Sequence, residues 1–380
     1  MKNIPFHKAD ISEEDVTAVS EVIRSGWLTM GQKTFDFEKS FVKDMSDTKA
    51  IGLNSGTAAL HLALICAGVE AGDEVIVPAI TFASTANVIR MCGAKPVIVD
   101  VERNTHLIDI NALEKTLSKK TKAVIPVHFA GQTCDMNILN AIAEDNDIKI
   151  IEDAAHAYPT FYRDKMAGSL GFAAAFSFYV TKTITSGEGG MLTTNDSAVA
   201  ERARLLRLHG ISKDAWKRYS KEGSWRYDVT EWGYKYNMTD MAAALGFSQL
   251  KRAQEMTQRR KDISAKYDEA FKNLEEIHPY EINNFCQSSY HLYPLRLNLE
   301  KTSTTRDNFI KEMNERGIGT SVHFIPLYHF SCNSDLKYSP SNFPNSEWIF
   351  ERSVSLPIYP GLTDEDVDYI IENVIDIVTQ

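Results

Sequence analysis

The strongest constraint on the fold is the regular alternation of short apolar runs with longer helical segments between residues 49 and 153. The short runs are rich in β-branched residues, as in EVIVP, PVIVD and IKIIED, whereas GTAALHLALICAGV and TFASTANVIRMCG have the apolar spacing of helices. This alternation predicts β–α–β units around a mostly parallel sheet with helices on its faces. Ligands of such sheets bind at the carboxyl ends of the strands, so functional residues are expected there.

The pattern changes in the last third of the chain. Two further predicted strands, AAFSF and GGMLTT, are followed by predicted helices over residues 239–271. Beyond residue 275 we predict a mixture of the strands YHLYPLRLN, IGTSVHF and SVSLPI with the helices TRDNFIKEMNERG and TDEDVDYIIENVI. The sequence thus predicts a large α/β domain with an N-terminal arm over residues 1–260 and a smaller C-terminal α+β domain over residues 261–380.

Composition excludes several classes of protein. The 380 residues are 43% hydrophobic and 24% charged, which is typical of a soluble globular protein with a large core. No apolar run reaches the ~18 residues that span a bilayer, and MKNIPFHKADISEEDV has acidic residues where a secretory signal would be apolar, so we expect a cytoplasmic location and no membrane. The five cysteines are scattered without a CxxC pair, which supports neither a disulfide framework nor a zinc site.

Net charge argues against nucleic acid as a partner. The formal charge is −10, whereas binding to phosphates requires a basic face. One segment, KDAWKRYSKEGSWRY at residues 213–227, is an exception because it mixes tryptophan and tyrosine with the cations Lys213, Arg218 and Arg226. This segment has two interpretations that both remain open: an ordinary solvated loop, or a surface for the base and diphosphate of a nucleotide.

Three motifs place chemistry at predicted strand ends. NSGTAAL, residues 54–60, follows a strand and opens a helix, where free N–H groups and the helix dipole favour a phosphate near Ser55, Gly56 and Thr57. Asp153 ends the IKIIED strand, with His156 three residues later. Lys182 follows the next strand, in FSFYVTKTITSGEGG. Each motif alone has a structural explanation, such as an N-cap, a turn histidine or a lysine whose head reaches water.

Together, the motifs describe a pyridoxal phosphate site. The helix start supplies a phosphate cup, Asp153 a carboxylate that keeps a pyridine nitrogen protonated, and Lys182 an amine that can bond to an aldehyde. Phe82, just after the EVIVP strand, offers an aromatic face for the ring. Because all of these groups occur in order, each at a strand end, chemistry is a better explanation than chance.

The sequence resembles the DegT/StrS-type sugar aminotransferases, which are fold type I pyridoxal phosphate enzymes, over nearly its whole length. This resemblance implies an α/β fold with a mostly parallel central sheet. The stretches that carry it are SGWLTMG (25–31), NSGTAALHLAL (54–64), GDEVIVPAITFASTAN (72–87), KAVIPVHFAG (122–131), IEDAAHA (151–157), FSFYVTKTITSGEGG (176–190), GYKYNMTDMAAALGFSQL (233–250), YHLYPLRL (290–297) and SLPIYPGLT (355–363).

The resemblance also implies roles for individual residues. Lys182 would form the Schiff base with the cofactor and move the proton between substrate and cofactor, and Asp153 would pair with the pyridine nitrogen. Phe82 would stack on the ring, and His156 would lie beside its 3′-hydroxyl. The implied phosphate ligands are Gly56, Thr57 and Ser177, with Asn237 contributed by the neighbouring subunit, so that a homodimer is required for activity.

The substrate is implied by fewer residues. Relatives that dehydrate sugars have histidine at the aldimine position, so Lys182 favours transamination with L-glutamate as the donor. The GYKYN stretch and the insertion DAWKRYSKEGSWRY are similar to enzymes that aminate C4 of a UDP-linked sugar, such as the 4-amino-4-deoxy-L-arabinose aminotransferase. The resemblance places Trp27, Thr29 and His323 near a nucleotide sugar, although core or interface packing explains Trp27 and His323 nearly as well.

Two other functions are weighed against this one. Another fold type I enzyme acting on amino acids, such as a cysteine desulfurase or a lyase, would lack a nucleotide pocket. A desulfurase would also need a reactive cysteine on a mobile loop, and none of the five cysteines is obviously suited to that role. A non-catalytic pyridoxal-binding regulator or sensory module would be supported by a DNA-binding partner domain, and we recognise no helix-turn-helix extension or basic tail in the given sequence. The sequence does not fix the nucleotide base, amination at C4 rather than C3, the stereochemistry, the C2 substituent, the pathway, or the oligomer beyond a dimer.

Overall fold

The computed structural model describes residues 2–211 and 227–380, in which strands and helices alternate as predicted. The strands are β1 (Lys49–Leu53), β2 (Glu74–Pro78), β3 (Lys95–Val99), β4 (Thr121–Val124), β5 (Lys149–Asp153), β6 (Phe161–Tyr162), β7 (Lys165–Met166), β8 (Ala173–Ser177), β9 (Gly190–Thr194), β10 (Ile277–His278), β11 (Cys286–Gln287), β12 (Tyr293–Leu297) and β13 (Ser353–Leu356). The helices are α1 (Glu13–Ser25), α2 (Gln32–Phe41), α3 (Gly56–Cys66), α4 (Ala83–Met91), α5 (Ile110–Thr116), α6 (Met136–Asn146), α7 (Ser197–Leu206), α8 (Asp240–Lys251), α9 (Ala253–Phe271), α10 (Arg306–Glu315), α11 (Pro344–Arg352) and α12 (Asp364–Thr379).

A seven-stranded sheet, in the order β1-β9-β8-β5-β4-β2-β3, forms the centre of the part of the chain that precedes the C-terminal helices and strands. The strands from β8 to β3 run parallel to their neighbours, whereas β9 is antiparallel to both β8 and β1. Because both faces of the sheet are covered, a strand such as β2 is apolar at successive positions, with Val75, Ile76 and Val77 all fully buried. The predicted mostly parallel sheet is confirmed.

Helix α3 packs on one face of this sheet. Its residues from Ala58 to Leu64 are all buried, as its nearly uniform apolar sequence requires, and it packs against β8 and β9. Its N-cap is Ser55, whose side chain accepts a hydrogen bond from the Ala58 N–H. The start of α3 lies at the edge where β5 and β8 end, since Gly56, Asp153 and Ser177 line the same cavity.

The C-terminal part has its own antiparallel sheet, β10-β12-β13, and its own core around Tyr267, Phe309 and Ile370. Helix α9 enters this core and passes through residue 260 without a break, so the domain boundary near that residue stays a prediction. The N-terminal arm is bound here too, because Ile4 exchanges backbone hydrogen bonds of 2.8 Å with Gly317 and Gly319.

The predicted strand IGTSVHF is wrong. Residues 318–324 make isolated bridges, from Ile318 to Ile4 and from Ser321 to Ser355, in place of a continuous ladder. The physical reason is that Ser321, His323 and Phe324 line a cavity, whereas a ladder would turn alternate side chains to opposite faces.

Among residues 2–211 and 227–380, the structure contains no helix that combines the length and the apolar character needed to cross a bilayer.

Candidate active site

A cavity of about 410 Å³ lies at the carboxyl ends of β5 and β8, against the start of α3. Its other wall is built by the N-terminal arm and the C-terminal part of the chain. The cavity brings together residues that are far apart in sequence, at the sheet edge where the β–α alternation predicts a ligand. The sequence-predicted cofactor residues that line it are Gly56, Thr57, Phe82, Asp153, His156, Ser177 and Lys182.

The start of α3 offers free backbone donors to this cavity. Ser55 satisfies the Ala58 N–H at 3.1 Å, whereas the N–H groups of Gly56 and Thr57 precede any intrahelical acceptor. A Cβ on Gly56 would lie 3.0 Å from the Ser177 Cβ and 3.2 Å from the Phe176 carbonyl oxygen. Glycine thus allows α3 to approach the end of β8 closely, and the resulting cradle of N–H groups and a serine hydroxyl fits a phosphate.

Asp153 is held by two hydrogen bonds. Its Oδ2 accepts a hydrogen bond of 2.9 Å from the Thr85 hydroxyl, and its Oδ1 accepts one of 3.2 Å from the Ala155 N–H. Burial raises the pKa of the Asp153 carboxyl, and the bonds from Thr85 and Ala155 and the charge of Lys182 oppose that rise. A protonated ring nitrogen placed against this carboxylate would keep it ionised, so Asp153 fits the predicted partner of a pyridine ring.

Lys182 lies in the turn between β8 and β9, where its backbone N–H donates to the Tyr179 carbonyl at 2.9 Å. Burial lowers the pKa of its amine to about 8, and the nearby charge of Asp153 acts in the opposite direction. A much larger fraction of this amine is neutral near pH 8 than in an exposed lysine. Lys182 is thus suited to attack an aldehyde and then to accept a proton.

His156 is a neutral hydrogen-bond donor toward the cavity. Its Nδ1 accepts the Ala130 N–H at 3.3 Å, which leaves the ring proton on Nε2. Burial, followed by the charge of Lys182, lowers the pKa of His156 well below its usual value. The imidazole can therefore donate to an oxygen, as expected beside a ring hydroxyl.

Phe82 presents its ring to the cavity from the residue that precedes α4. The side chain is 60% exposed, and its ring centroid lies 6.0 Å from that of Phe324. An aromatic face left open in this way is suited to stacking on a flat heterocycle.

Other predicted residues lie outside the cavity of their own chain. Asn237 pairs with Leu53 in a backbone bridge, and its Nδ2 donates to the Met238 carbonyl at 3.3 Å. The Trp27 indole donates to the Met30 carbonyl at 3.2 Å, and the Thr29 carbonyl accepts from the Asp240 N–H at 3.2 Å. Their predicted contacts with cofactor or substrate therefore stay predictions.

The remaining predicted substrate residues divide into two groups. His323 lines the cavity, and its Nδ1 lies 2.9 Å from the Ser355 hydroxyl. Lys213, Arg218 and Arg226 lie outside the described residues, so their predicted contact with a nucleotide stays a prediction.

Comparison with known proteins identifies the family. The model of the DegT/DnrJ/EryC1/StrS aminotransferase family matches residues 9–375. The chain belongs to this family. The predicted enzyme class and cofactor are thereby confirmed, since members of the DegT/DnrJ/EryC1/StrS family are pyridoxal phosphate-dependent sugar aminotransferases of fold type I.

Family members with named roles are similar over almost the whole chain. The spore coat polysaccharide biosynthesis protein SpsC of Bacillus subtilis is 45% identical over 377 residues, covering 99% of this chain and 97% of that protein. Spr1654 of Streptococcus pneumoniae, a proposed sugar aminotransferase, was solved in PMP and PLP forms; the PMP form has 37% identity and a TM-score of 0.91, covering 99% of this chain and 98% of its own. Helicobacter pylori PseC, an aminotransferase of pseudoaminic acid biosynthesis, has 29% identity and a TM-score of 0.92, covering 99% of both chains.

Among the residues of the site that the sequence did not predict, Thr85 binds Asp153, and His7 and His291 line the cavity. Thr85 lies within the stretch GDEVIVPAITFASTAN, where an inward-facing hydroxyl on the first turn of a helix was a usable signal. His7 and His291 had no local signal, because the tertiary fold of the arm and the C-terminal part brings them to the cavity.

Proposed function

We propose that this family member transfers the amino group of L-glutamate to a 4-keto nucleotide sugar, linked to UDP, to make a 4-amino sugar for a surface polysaccharide. The observation that carries the proposal is a single cavity that joins a buried amine of lowered pKa, an anchored carboxylate and the open start of α3. The named roles of SpsC and PseC in the biosynthesis of polysaccharide and pseudoaminic acid support a sugar as the acceptor.

Bound pyridoxal phosphate supplies an aldehyde and a protonated ring that withdraws electrons from the substrate carbon. In the proposed reaction, Gly56 and Thr57 would donate their N–H groups to the phosphate, and Asp153 would keep the ring nitrogen protonated. Phe82 would offer its aromatic face to the ring. Lys182 would hold the aldehyde with its amine and, once freed by the donor, would accept the proton of the donor carbon.

We propose in addition that the site is shared between two subunits. The Asn237 Oδ1 is buried and has no hydrogen-bond donor within residues 2–211 and 227–380, as expected if its side chain serves a neighbour. The large apolar side chains Ile23, Trp27, Leu28 and Phe35 are each more than 40% exposed close to the start of α2. An exposed apolar group of this kind marks a protein interface, here with a second copy of the chain.

Two further parts of the proposal concern the substrate and the compartment. Lys213, Arg218 and Arg226 would bind the diphosphate of the sugar nucleotide, for which the support is their sequence pattern alone. The five cysteines are unpaired thiols, which supports a reducing compartment and hence the cytoplasm.

The proposal is tested with purified enzyme and the Lys182→Ala variant. L-glutamate should remove the visible absorbance of the bound cofactor, a 4-keto UDP sugar should restore it, and mass spectrometry should detect the aminated sugar. Lys182→Ala should lose turnover by at least 10³-fold, since the nucleophile and base are both removed, whereas Lys165→Ala on the exposed hairpin should not change it.

Three outcomes would contradict the proposal. Normal turnover by Lys182→Ala would remove the role of the amine. A wild-type enzyme whose spectrum is indifferent to L-glutamate would be a binding protein. Amino acid conversion without any keto sugar would favour a fold type I enzyme that acts on amino acids. Parallel assays with UDP-, dTDP- and GDP-linked sugars identify the nucleotide base of the substrate.

A further inference from the structure

The cavity has a wall that the proposed cofactor chemistry does not use. It carries three histidines, His7, His291 and His323, which we call the histidine wall. His7 is positioned by the N-terminal arm, His291 by a 3.0 Å hydrogen bond from its N–H to the Ala130 carbonyl, and His323 by the Ser355 hydroxyl. Each imidazole therefore comes from a different segment that is fixed to the C-terminal part or the central sheet.

Two of these imidazoles have buried nitrogens without a partner. His291 is 4% exposed and its Nδ1 has no hydrogen bond, and the Nε2 of His7 is in the same condition, within the ranges 2–211 and 227–380. Buried polar atoms are normally paired, so exceptions that border a cavity point to a ligand.

A cation lies behind the histidine wall. Arg260 is 1% exposed, donates from Nη1 to the carbonyl of the cavity residue Ile358, and has a buried Nε without an acceptor among the described residues. Asp10 is the carboxylate that influences Arg260 electrostatically, but it is itself bound to Arg252 at 3.0 Å. The positive charge at this wall is therefore poorly compensated by the protein.

The same charges keep the histidines neutral. Burial, Arg260 and Lys182 lower the pKa of His7 to about 4, against the Val180 carbonyl, which raises it. The pKa of His291 is well below its usual value because of burial and then its closeness to the titratable groups of His156, Lys182, Arg260 and His323. A negative ligand would reverse this balance, so that an imidazole gains a proton when the ligand binds.

We propose that the histidine wall is a subsite that binds a carboxylate of the amino donor. His7 and His291 would form hydrogen bonds to this carboxylate, and Arg260 would supply the positive charge behind them. The inference rests on the proposed function and specifies its donor as a dicarboxylic amino acid. A sugar hydroxyl would pair with the imidazole nitrogens but would leave Arg260 uncompensated. The carboxylates already in the cavity do not meet this need, because Asp153 is held by Thr85 and Ala155, and Glu188 is exposed.

The test is calorimetric titration of the cofactor-loaded enzyme with glutarate, a dicarboxylate that cannot react, in two buffers with different heats of ionisation. Wild-type enzyme should bind glutarate with proton uptake, and the neutral analogue glutaramide at least tenfold more weakly. His7→Asn and His291→Asn should each weaken glutarate binding by about tenfold and reduce proton uptake, since each removes a charge-assisted hydrogen bond.

His106→Asn is the matched control. His106 is also buried, has unpartnered ring nitrogens and lies near a buried arginine, Arg296, but it does not line the cavity. This variant should bind glutarate as the wild type does. Circular dichroism and the cofactor spectrum establish that every variant is folded.

Binding of glutarate that is unchanged in both wall variants, or that involves no proton uptake, would overturn the subsite. If that enzyme still responded to L-glutamate, the proposed aminotransferase function would stand without the subsite. Conversely, histidine-dependent binding of glutarate by an enzyme that does not react with L-glutamate would support the subsite and refute the donor reaction.

Discussion

At the residue scale, the anchoring of Asp153 distinguishes a cofactor carboxylate from an ordinary buried acid. The Thr85 hydroxyl has one proton, which it donates to Asp153 at 2.9 Å, so Thr81 must be the donor in its 2.9 Å contact with Thr85. Asp153 and Lys182 could be predicted because the first ends an apolar strand and the second follows one. Thr85 was missed although its hydroxyl lies on the first turn of a predicted helix. His291 could not be predicted, since its partner Ala130 is distant in sequence and no local pattern shows it.

Thr85→Val should lower the free energy of unfolding of the cofactor-free enzyme, by an amount that depends on pH. The variant keeps the shape but removes a hydrogen bond that favours ionised Asp153, so the already raised pKa of Asp153 should rise further. The stability lost, about 1.5–3 kcal/mol at neutral pH, should shrink as the pH falls through the folded-state pKa and the carboxyl becomes protonated in both proteins. Denaturant unfolding of the cofactor-free proteins at several pH values measures this, with Thr85→Ser as the rescuing control; a loss independent of pH would show simple packing.

At the element scale, the start of α3 lies close against the end of β8, and the two together form the proposed phosphate cradle. Helix α3 and the strands β1 to β5, β8 and β9 were predictable from apolar periodicity. The two-residue strands β6, β7, β10 and β11 are too short for any period to be detected. The segment 318–324 was predicted wrongly because its apolar residues match a strand, whereas cavity lining and isolated bridges determine its structure.

Gly56→Ala tests the closeness of α3 and β8. Alanine favours a helix by up to ~1 kcal/mol over glycine, but overpacking costs about 1–3 kcal/mol. The backbone oxygen of Phe176, 3.2 Å from the new Cβ, cannot turn away as a side chain can. We expect a net loss of about 1 kcal/mol in stability and at least tenfold weaker cofactor binding, measured by thermal unfolding and absorbance titration. Gly361→Ala, where the nearest atoms are 3.9 Å away, should change neither, and unchanged cofactor affinity in Gly56→Ala would remove the proposed phosphate cradle.

At the scale of the whole molecule, the cavity of one chain is lined by only some of the predicted site residues. Lys182 and Asp153 line the cavity, whereas Asn237 lies outside it with its side chain toward Met238. Sequence periodicity cannot reveal this division, because it reports burial within a chain and contains no information about a second copy. The proposed homodimer turns the division into a requirement: each site would combine Lys182 of one subunit with Asn237 of the other.

Mixed dimers separate this arrangement from a site within one chain. When a Lys182→Ala chain pairs with an Asn237→Ala chain, one site collects both lesions and the other has none, so about half of wild-type activity should return at limiting cofactor. When one chain carries both substitutions and its partner is wild type, each site has one lesion and activity should stay low. Differently tagged, co-expressed chains purified in two affinity steps provide both dimers. The reverse pattern, with activity in the second dimer and not in the first, would show that Asn237 serves its own chain, because only then would the wild-type partner hold a complete site.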